Sequence, residues 1–391
     1  MKYKTRRLGD VFKITSGGTP SRKDDSYFAG GEIPWVKTGD LKSKCLLQAS
    51  EYITKLGLEN SSAKLFPKGT VLLAMYGATI GNCSILGLEA ATNQACAAFT
   101  PSEEMVPEYL YCFLLAIKPD LIRMSVGGAQ PNISATILKN IEIPLPSLET
   151  QQKIADVLDK AQTLIDKRKE QLEKMDELVQ SVFYEMFGDP VLNKKGWEKT
   201  RIGNVSSVKI GPFGSLLHQE DYIHGGIPLV NPSHITNGKI CPDSNLTISA
   251  EKAKQLFQYR MNAGSVILGR RGEIGRCAVV TDKEEGFLCG TGSMLISSLH
   301  ALNPLFLFKL LSSTKLKKIL EDAAQGVTMK NLNSSIVENF EITVPPIDLQ
   351  NQFAHFVEKT EQQKALMQQS LAEMENNFNS IMQRAFKGEL F

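Results

Sequence analysis

The sequence predicts an α+β protein. Two β-rich globular domains are joined by two long helices that form an antiparallel coiled coil, the whole arranged as a pseudo-two-fold tandem repeat. Three observations predict this. A heptad-spaced apolar stripe over Gln151 to Phe187 recurs, in rougher form, over Gln350 to Phe386. The stretches that precede the two stripes repeat one another. Those stretches also consist of short β-branched runs between Gly- and Pro-rich turns.

In the first stripe Ile154, Leu158, Ala161, Ile165, Arg168, Leu172, Met175, Val179, Val182 and Met186 recur at alternating steps of four and three. In the second, Phe353, Phe356, Thr360, Gln363, Met367, Met374, Phe378 and Ile381 keep the spacing, with Leu371 one residue off it. At about 1.5 Å per residue each helix is on the order of 55 Å long, more than one small domain can cover, so the simplest cover for each stripe is the other. Packing about a pseudo-two-fold axis makes the helices antiparallel. Arg168, Thr360 and Gln363 would then place polar groups inside the bundle, a device that fixes register. The expected boundaries are a first domain over 1–149, its helix over 150–190, a second domain over 191–348 and its helix over 349–391.

The repeat reaches well beyond the helices. Thr5-Arg6 with Leu8-Gly9-Asp10-Val11 answers to Thr200-Arg201-Ile202-Gly203-Asn204-Val205, and Gly30-Gly31-Glu32-Ile33-Pro34 to Gly225-Gly226-Ile227-Pro228. Phe66 to Leu73 matches Met261 to Leu268, and Tyr76-Gly77-Ala78-Thr79-Ile80-Gly81 matches Arg271-Gly272-Glu273-Ile274-Gly275. Ile141 to Pro146 and Phe340 to Pro345 close the two copies just before their helices. Within each copy, runs such as Thr70 to Ala74 and Ser265 to Leu268 predict strands. Pro107 to Arg123 and Asn303 to Asp322 predict helices, each opened by a first-turn proline. Gly188-Asp189-Pro190 ends the first long helix, and the segment to Lys195 reads as a linker.

The 391 residues, 42% hydrophobic and 22% charged, describe an ordinary globular chain of two or more domains. The start, MKYKTRRLGD, has basic residues without an apolar segment after them, and the longest apolar run, Tyr109 to Ile117, is too short to span a bilayer. Neither a secretory signal nor a membrane span is therefore expected. Seven cysteines without a CxxC pair suit a reducing compartment, so a cytoplasmic location is expected. Net charge is +2, but it is unevenly spread. Lys+Arg against Asp+Glu is 16 to 14 over 1–150 and 18 to 14 over 191–348, but 6 to 9 over 151–190 and 4 to 5 over 349–391. A polyanion would meet the globular parts rather than the helices.

Several chemistries are missing. No Gly-x4-Gly-Lys-Ser/Thr loop exists to cradle a nucleotide. Asn231-Pro232-Ser233-His234 holds only half of the motif an amino-methyltransferase needs, and Asp40-Leu41-Lys42 is a fragment of a two-metal nuclease site without its second carboxylate. All five histidines lie in the second half, which argues against a metal role shared by the repeats. What remains is a set of loops that combine Gly, hydroxyl, amide and basic residues. They are Ser16 to Lys23, Gly127 to Asn132, Ile210 to Ser215, Leu268 to Gly272 and Gln325 to Asn331. Hydroxyls and backbone amides bond phosphate, while Arg, Asn and Gln can bridge two groups on a base edge. The candidate DNA-binding residues in the first copy are Thr19, Ser21, Arg22, Lys23, Lys37, Tyr76, Gln130 and Asn132. In the second they are Ser215, Asn231, His234, Arg270, Arg271, Lys330 and Asn331.

Taken together, these strings resemble the specificity subunit of type I restriction-modification systems. Thr19-Pro20-Ser21 after a glycine pair, Trp35 before Gly39-Asp40-Leu41, and Tyr76 to Gly81 are similar to its first recognition domain. Gly127 to Ile133, Pro144, Pro146 and then Gln151-Gln152-Lys153-Ile154-Ala155 are similar to its passage into the spacer helix. Gly211-Pro212-Phe213-Gly214-Ser215 and Arg271 to Gly275 resemble the same stations in another type of recognition domain. The resemblance implies two target-recognition domains that each read half of a split double-stranded DNA site, and a spacer that holds them a fixed distance apart. It implies no catalysis and no bound cofactor in this chain. Methyltransferase subunits, usually two, would carry S-adenosylmethionine, and restriction subunits would use ATP and Mg. The spacer seam would be Ile154, Leu158, Ile165, Leu172 and Val179 against Phe353, Met367, Met374 and Phe378. Because the loops of the copies differ, the target is expected to be asymmetric. The competing readings are a docking scaffold without a DNA role and a complete methyltransferase.

Overall fold

The computed structural model describes residues 3–125, 131–213, 216–299, 301–324, 326 and 330–391. The candidates Gln130 and Ser215 lie outside the described residues. The chain divides into two compact units, Met1–Glu170 with Gln368–Phe391, and Gln171–Met367.

The first unit holds a five-stranded sheet in the order Ile14–Ser16, Cys96–Phe99, Val71–Ala74, Cys83–Leu86 and Cys45–Leu46. Val71–Ala74 is buried along its whole length, as an all-apolar strand inside a sheet must be. A four-stranded sheet follows, in the order Glu51–Ile53, Ile33–Val36, Ala90–Thr92 and Leu65–Phe66. Its central pair is parallel, with Trp35 beside Ala91. The second unit repeats this frame with four strands, Ser206–Ile210, Ser293–Ser298, Val266–Gly269 and Cys277–Val279, and a second sheet in which Ile227–Val230 runs parallel to Leu288–Cys289. A ribbon closes each unit on itself, Thr5–Arg7 with Glu142–Pro144 and Glu198–Arg201 with Glu341–Val344. The expected helices break once each, into Pro107–Ala116 and Lys118–Met124, and into Pro304–Ser312 and Thr314–Ala323. Pro119 accounts for the first break, since its ring cannot continue an existing helix and is accepted only in a first turn.

The long helices run from Leu148 to Phe187 and from Ile347 to Lys387. Ser147 starts the first, its Oγ accepting from Thr150 N at 3.3 Å. Gly188 and Gly388 stop the two helices at φ of 76° and 77°, the left-handed conformation that lets the next amide turn back onto the last turn. Inside the first unit, Ile154 and Leu158 share one core with Ala385, Ile381 and Phe378, and farther along Lys169 pairs with Glu375 at 2.8 Å. Inside the second unit, Asp176 pairs with Lys364 at 2.5 Å, and Val179, Phe183 and Phe187 share a core with Val357 and Phe353. Residue numbers rise on one helix as they fall on the other, so the pairing within each unit is antiparallel, as a coiled coil of this kind requires.

The seam is corrected in three places. Ile154, Leu158, Ile165, Val179 and Phe353 are buried, and Leu172, Met367, Met374 and Phe378 are half-buried. Gln363 is exposed, however, and Lys364 takes its place, its ammonium held by Asp176 and Glu361. Burial works against that charge, but the two carboxylates outweigh it and hold the Lys364 pKa above the ordinary range. Leu371, half-buried four residues from Met367 and three from Met374, belongs to the seam after all. At the end of the first helix Phe183 and Phe187 take the interior, with Val182 and Met186 at its margin. There the helix is covered by its partner and by the globular core, which widens the apolar face beyond a strict heptad stripe.

The segment after Gly188 is a tied turn rather than a loose linker. Asp189 Oδ1 accepts from Val191 N and Leu192 N, Lys315 pairs with the same carboxylate, and Trp197 Nε1 donates to Phe187 O at 2.8 Å.

Candidate nucleic-acid interface

In the first unit the strand Ile14–Ser16 runs out through Gly17 and Gly18 onto a polar rim. Gly18 N donates to Thr92 O at 2.9 Å, and a Cβ on Gly17 would lie 1.9 Å from that oxygen, so only glycine passes. The buried Trp35 donates its Nε1 proton to Gly18 O at 3.0 Å and fixes the loop from below. Thr19 then donates its hydroxyl to Gln94 Oε1 at 2.5 Å. Ser21, Arg22 and Lys23 follow, all exposed. Arg22 and Lys37 both pair with Glu51, whose carboxyl is held below the usual range by the Lys37 hydrogen bond first, with Arg22 adding to it. Asp40, read as a fragment of a metal site, accepts from Lys37 N at 2.9 Å and so caps a turn.

Tyr76 stands 42% exposed on the next loop. Its backbone bridges to Asn132, supported by bonds from Gly77 N to Pro131 O at 3.0 Å and from Ile133 N to Met75 O at 2.9 Å. Met75 N in turn donates to Ala95 O, beside Gln94. Thr19, Gln94, Tyr76 and Asn132 therefore belong to one continuous rim, although they come from four separate segments.

The second unit builds the same rim with different side chains. Gly211 fills the Gly17 station, where a Cβ would lie 2.0 Å from Gly290 O. Phe213 falls at the Thr19 station and is 61% exposed. Asn231 takes the place of Lys37, and its Oδ1 accepts from Gly292 N at 3.3 Å. Arg271 bridges to Asn331 as Tyr76 does to Asn132. Arg271 is exposed, with Nε 3.4 Å from Asn331 Oδ1, and Lys330 is exposed beside it.

Two candidates change role. Arg270 is 3% exposed; its Nε donates to Thr291 O at 3.1 Å and its Nη1 to Asn331 Oδ1 at 2.7 Å. Burial pushes its pKa down, and its hydrogen bonds are spent on the rim, so it holds Asn331 and Arg271 in place rather than facing a base. His234 is 5% exposed with Nδ1 3.0 Å from Leu229 O, and it completes the turn that Asp40 completes in the first unit. Gln94, Glu51 and Phe213 stand on the rim beside the candidates the sequence marks. Only Phe213 left a signal, a large aromatic residue inside a Gly-Pro loop; Gln94 and Glu51 act over sequence distances of 75 and 29 residues.

All seven cysteines are free, and burial pushes Cys83, Cys96, Cys112, Cys277 and Cys289 up to about 12, which keeps them as inert thiols. Among the described residues no group of three or more His, Cys, Asp or Glu is placed to hold a metal ion, and no helix is long and apolar enough to cross a membrane.

A duplicated β-rich frame that carries two unlike polar rims and a pair of long helices is the layout of a two-domain recognition protein. Residues 1–174 and 194–376 match the family model described as type I restriction modification DNA specificity domain, and the chain belongs to that family. Its function is DNA sequence recognition in a type I restriction-modification system. It is 28% identical to the type I restriction enzyme MjaIX specificity subunit of Methanocaldococcus jannaschii, over 99% of this chain and 93% of that one. It is 29% identical to the EcoR124I/EcoR124II specificity subunit of Escherichia coli, over 48% and 47% of the two chains. The fold is shared with a chain from a solved type I R-M system (TM-score 0.69, 19% identity, 99% and 98% covered). It is shared also with the S subunit from M. genitalium (TM-score 0.56, 15% identity, 99% and 96% covered).

Proposed function

We propose that each unit reads one half of an asymmetric, split DNA target, that the paired helices set a fixed gap between the halves, and that the chain itself is non-catalytic. One observation carries the reading: the rim is built twice on the same backbone stations but with different side chains, Thr19 against Phe213, Lys37 against Asn231 and Tyr76 against Arg271. A duplicated reader with unlike rims reads unlike half-sites. Methyl transfer and cleavage then fall to partner subunits, two methyltransferase subunits that use S-adenosylmethionine and restriction subunits that use ATP and Mg. The names of the relatives as type I restriction enzyme specificity subunits support such an assembly.

The test is to express the chain with the methyltransferase subunit of its own system and map modified adenines in host DNA. One split motif with a constant gap is the expected result. A stable complex that modifies no such motif, or binds all duplexes alike at moderate salt, would favour the scaffold reading.

The helices as a ruler make a second prediction. Removing one heptad from the middle of each shortens the spacer by about 10 Å at 1.5 Å per residue, on the order of three base pairs. The mapped motif should keep both half-sites and lose about that much gap; altered half-sites with an unchanged gap would contradict the ruler.

A further inference from the structure

We propose that Arg22 reads a guanine in the half-site of the first unit, and that Glu51, Phe28 and Trp35 are positioning residues that hold its guanidinium in the reading pose. This rests on the rim of that unit facing DNA. Arg22 is the long, rotamer-rich side chain of the exposed Ser21–Lys23 loop, and such a group ordinarily wanders. Here it is held on an edge and on a face. Its Nη2 donates to Glu51 Oε2, and its guanidinium carbon lies 4.4 Å from the centroid of the Phe28 ring and 5.2 Å from that of Trp35. The holders are themselves fixed. Trp35 and Glu51 are directly paired residues of adjacent antiparallel strands, Trp35 is buried and bonded to Gly18 O, and Phe28 meets Trp35 edge to face at 6.1 Å.

Charge decides what the held arginine can take. A phosphate on Arg22 would sit close to the Glu51 carboxylate and be repelled by it. The O6 and N7 acceptors of guanine carry only partial negative charge and are repelled far less, and their spacing matches two guanidinium N–H groups. One of the five N–H donors of Arg22 goes to Glu51, and its side chain is 54% exposed. Lys37 occupies the other oxygen of the same carboxylate, so the cluster keeps one net positive charge towards an anionic duplex. The second unit has Leu229 at the Trp35 station, so the device belongs to the first half-site alone.

The experiment uses the complex with its methyltransferase. The split motif is mapped for the wild type and for the R22A, R22K and E51Q variants, and binding is measured against duplexes changed one base pair at a time. The expected result is one G·C position in one half-site at which R22A and R22K both relax discrimination, roughly 5- to 150-fold. E51Q should relax the same position less, with thermal unfolding little changed in all three. Equal weakening on every duplex, relaxation at an A·T pair, or an unchanged motif would each overturn the assignment while leaving the split-target reading standing. A wild-type complex that modifies no split motif would remove both.

Discussion

Leucine in place of Gln151 is expected to destabilise the first unit by about 3–5 kcal/mol, enough to remove much of the stability of an ordinary domain. The side chain is fully buried at the base of the first long helix. Its Oε1 accepts from Val106 N at 2.9 Å, and its Nε2 donates to Glu104 O at 2.9 Å and Pro146 O at 3.0 Å. One amide thus ties the helix start to the turn before Pro107 and to the strand exit at Pro146. Leucine has nearly the same volume but leaves these backbone groups without partners, at about 1–3 kcal/mol for each that water cannot reach. Gln350 repeats the arrangement, with Asn303 N at 2.8 Å, Pro345 O at 2.7 Å and Ala301 O at 3.2 Å. Q151L and Q350L should therefore lower different transitions in a calorimetric scan. If neither moved its transition by more than a degree or two, the clamp would not be a structural element.

Alanine at Phe353 is the second large effect, about 3–5 kcal/mol on the second unit. Phe353 is fully buried, with ring centroids 5.5 Å from Phe183 and 5.4 Å from Phe187, and Phe306 closes the cluster at 4.8 Å from Phe187. These rings join both long helices to the helix Pro304–Ser312, so truncation opens a cavity where three elements meet. Denaturant unfolding of F353A should show a lowered midpoint for the second unit, and F378A a smaller loss in the first, because Phe378 is only half-buried. Equal losses would mean that burial does not set the cost.

Much of the architecture is legible in the sequence alone. The tandem copies, the long helices, the loop strings and the family resemblance all reside in covalent order and periodicity, which survive without tertiary contacts. The 3.5-residue stripe identified the helices because a coiled-coil seam is a one-dimensional signal. The same rule failed at Gln363 and Lys364, and again at Phe183 and Phe187. In the first case a lysine with two carboxylate partners can be buried where an unpartnered one cannot. In the second, the globular core adds a second cover that a heptad count does not contain.

The site was legible as a set of loops but not as a set of roles. Arg270 and Arg271 are neighbours of one residue type, and sequence treats them alike. In the fold the first is buried on Asn331 and Thr291, and the second stands in solvent. His234 reads as a base-contacting loop residue until the turn at Pro232 encloses it. Glu51 carries no motif, yet it pairs with Arg22, because strand pairing sets it beside Trp35. By itself the sequence determined that two related readers and two long helices exist. Only the tertiary structure decided which polar groups spend their hydrogen bonds inside the rim and which stay exposed to solvent. The physical reason is that a donor's availability depends on partners that the chain brings together from distant segments.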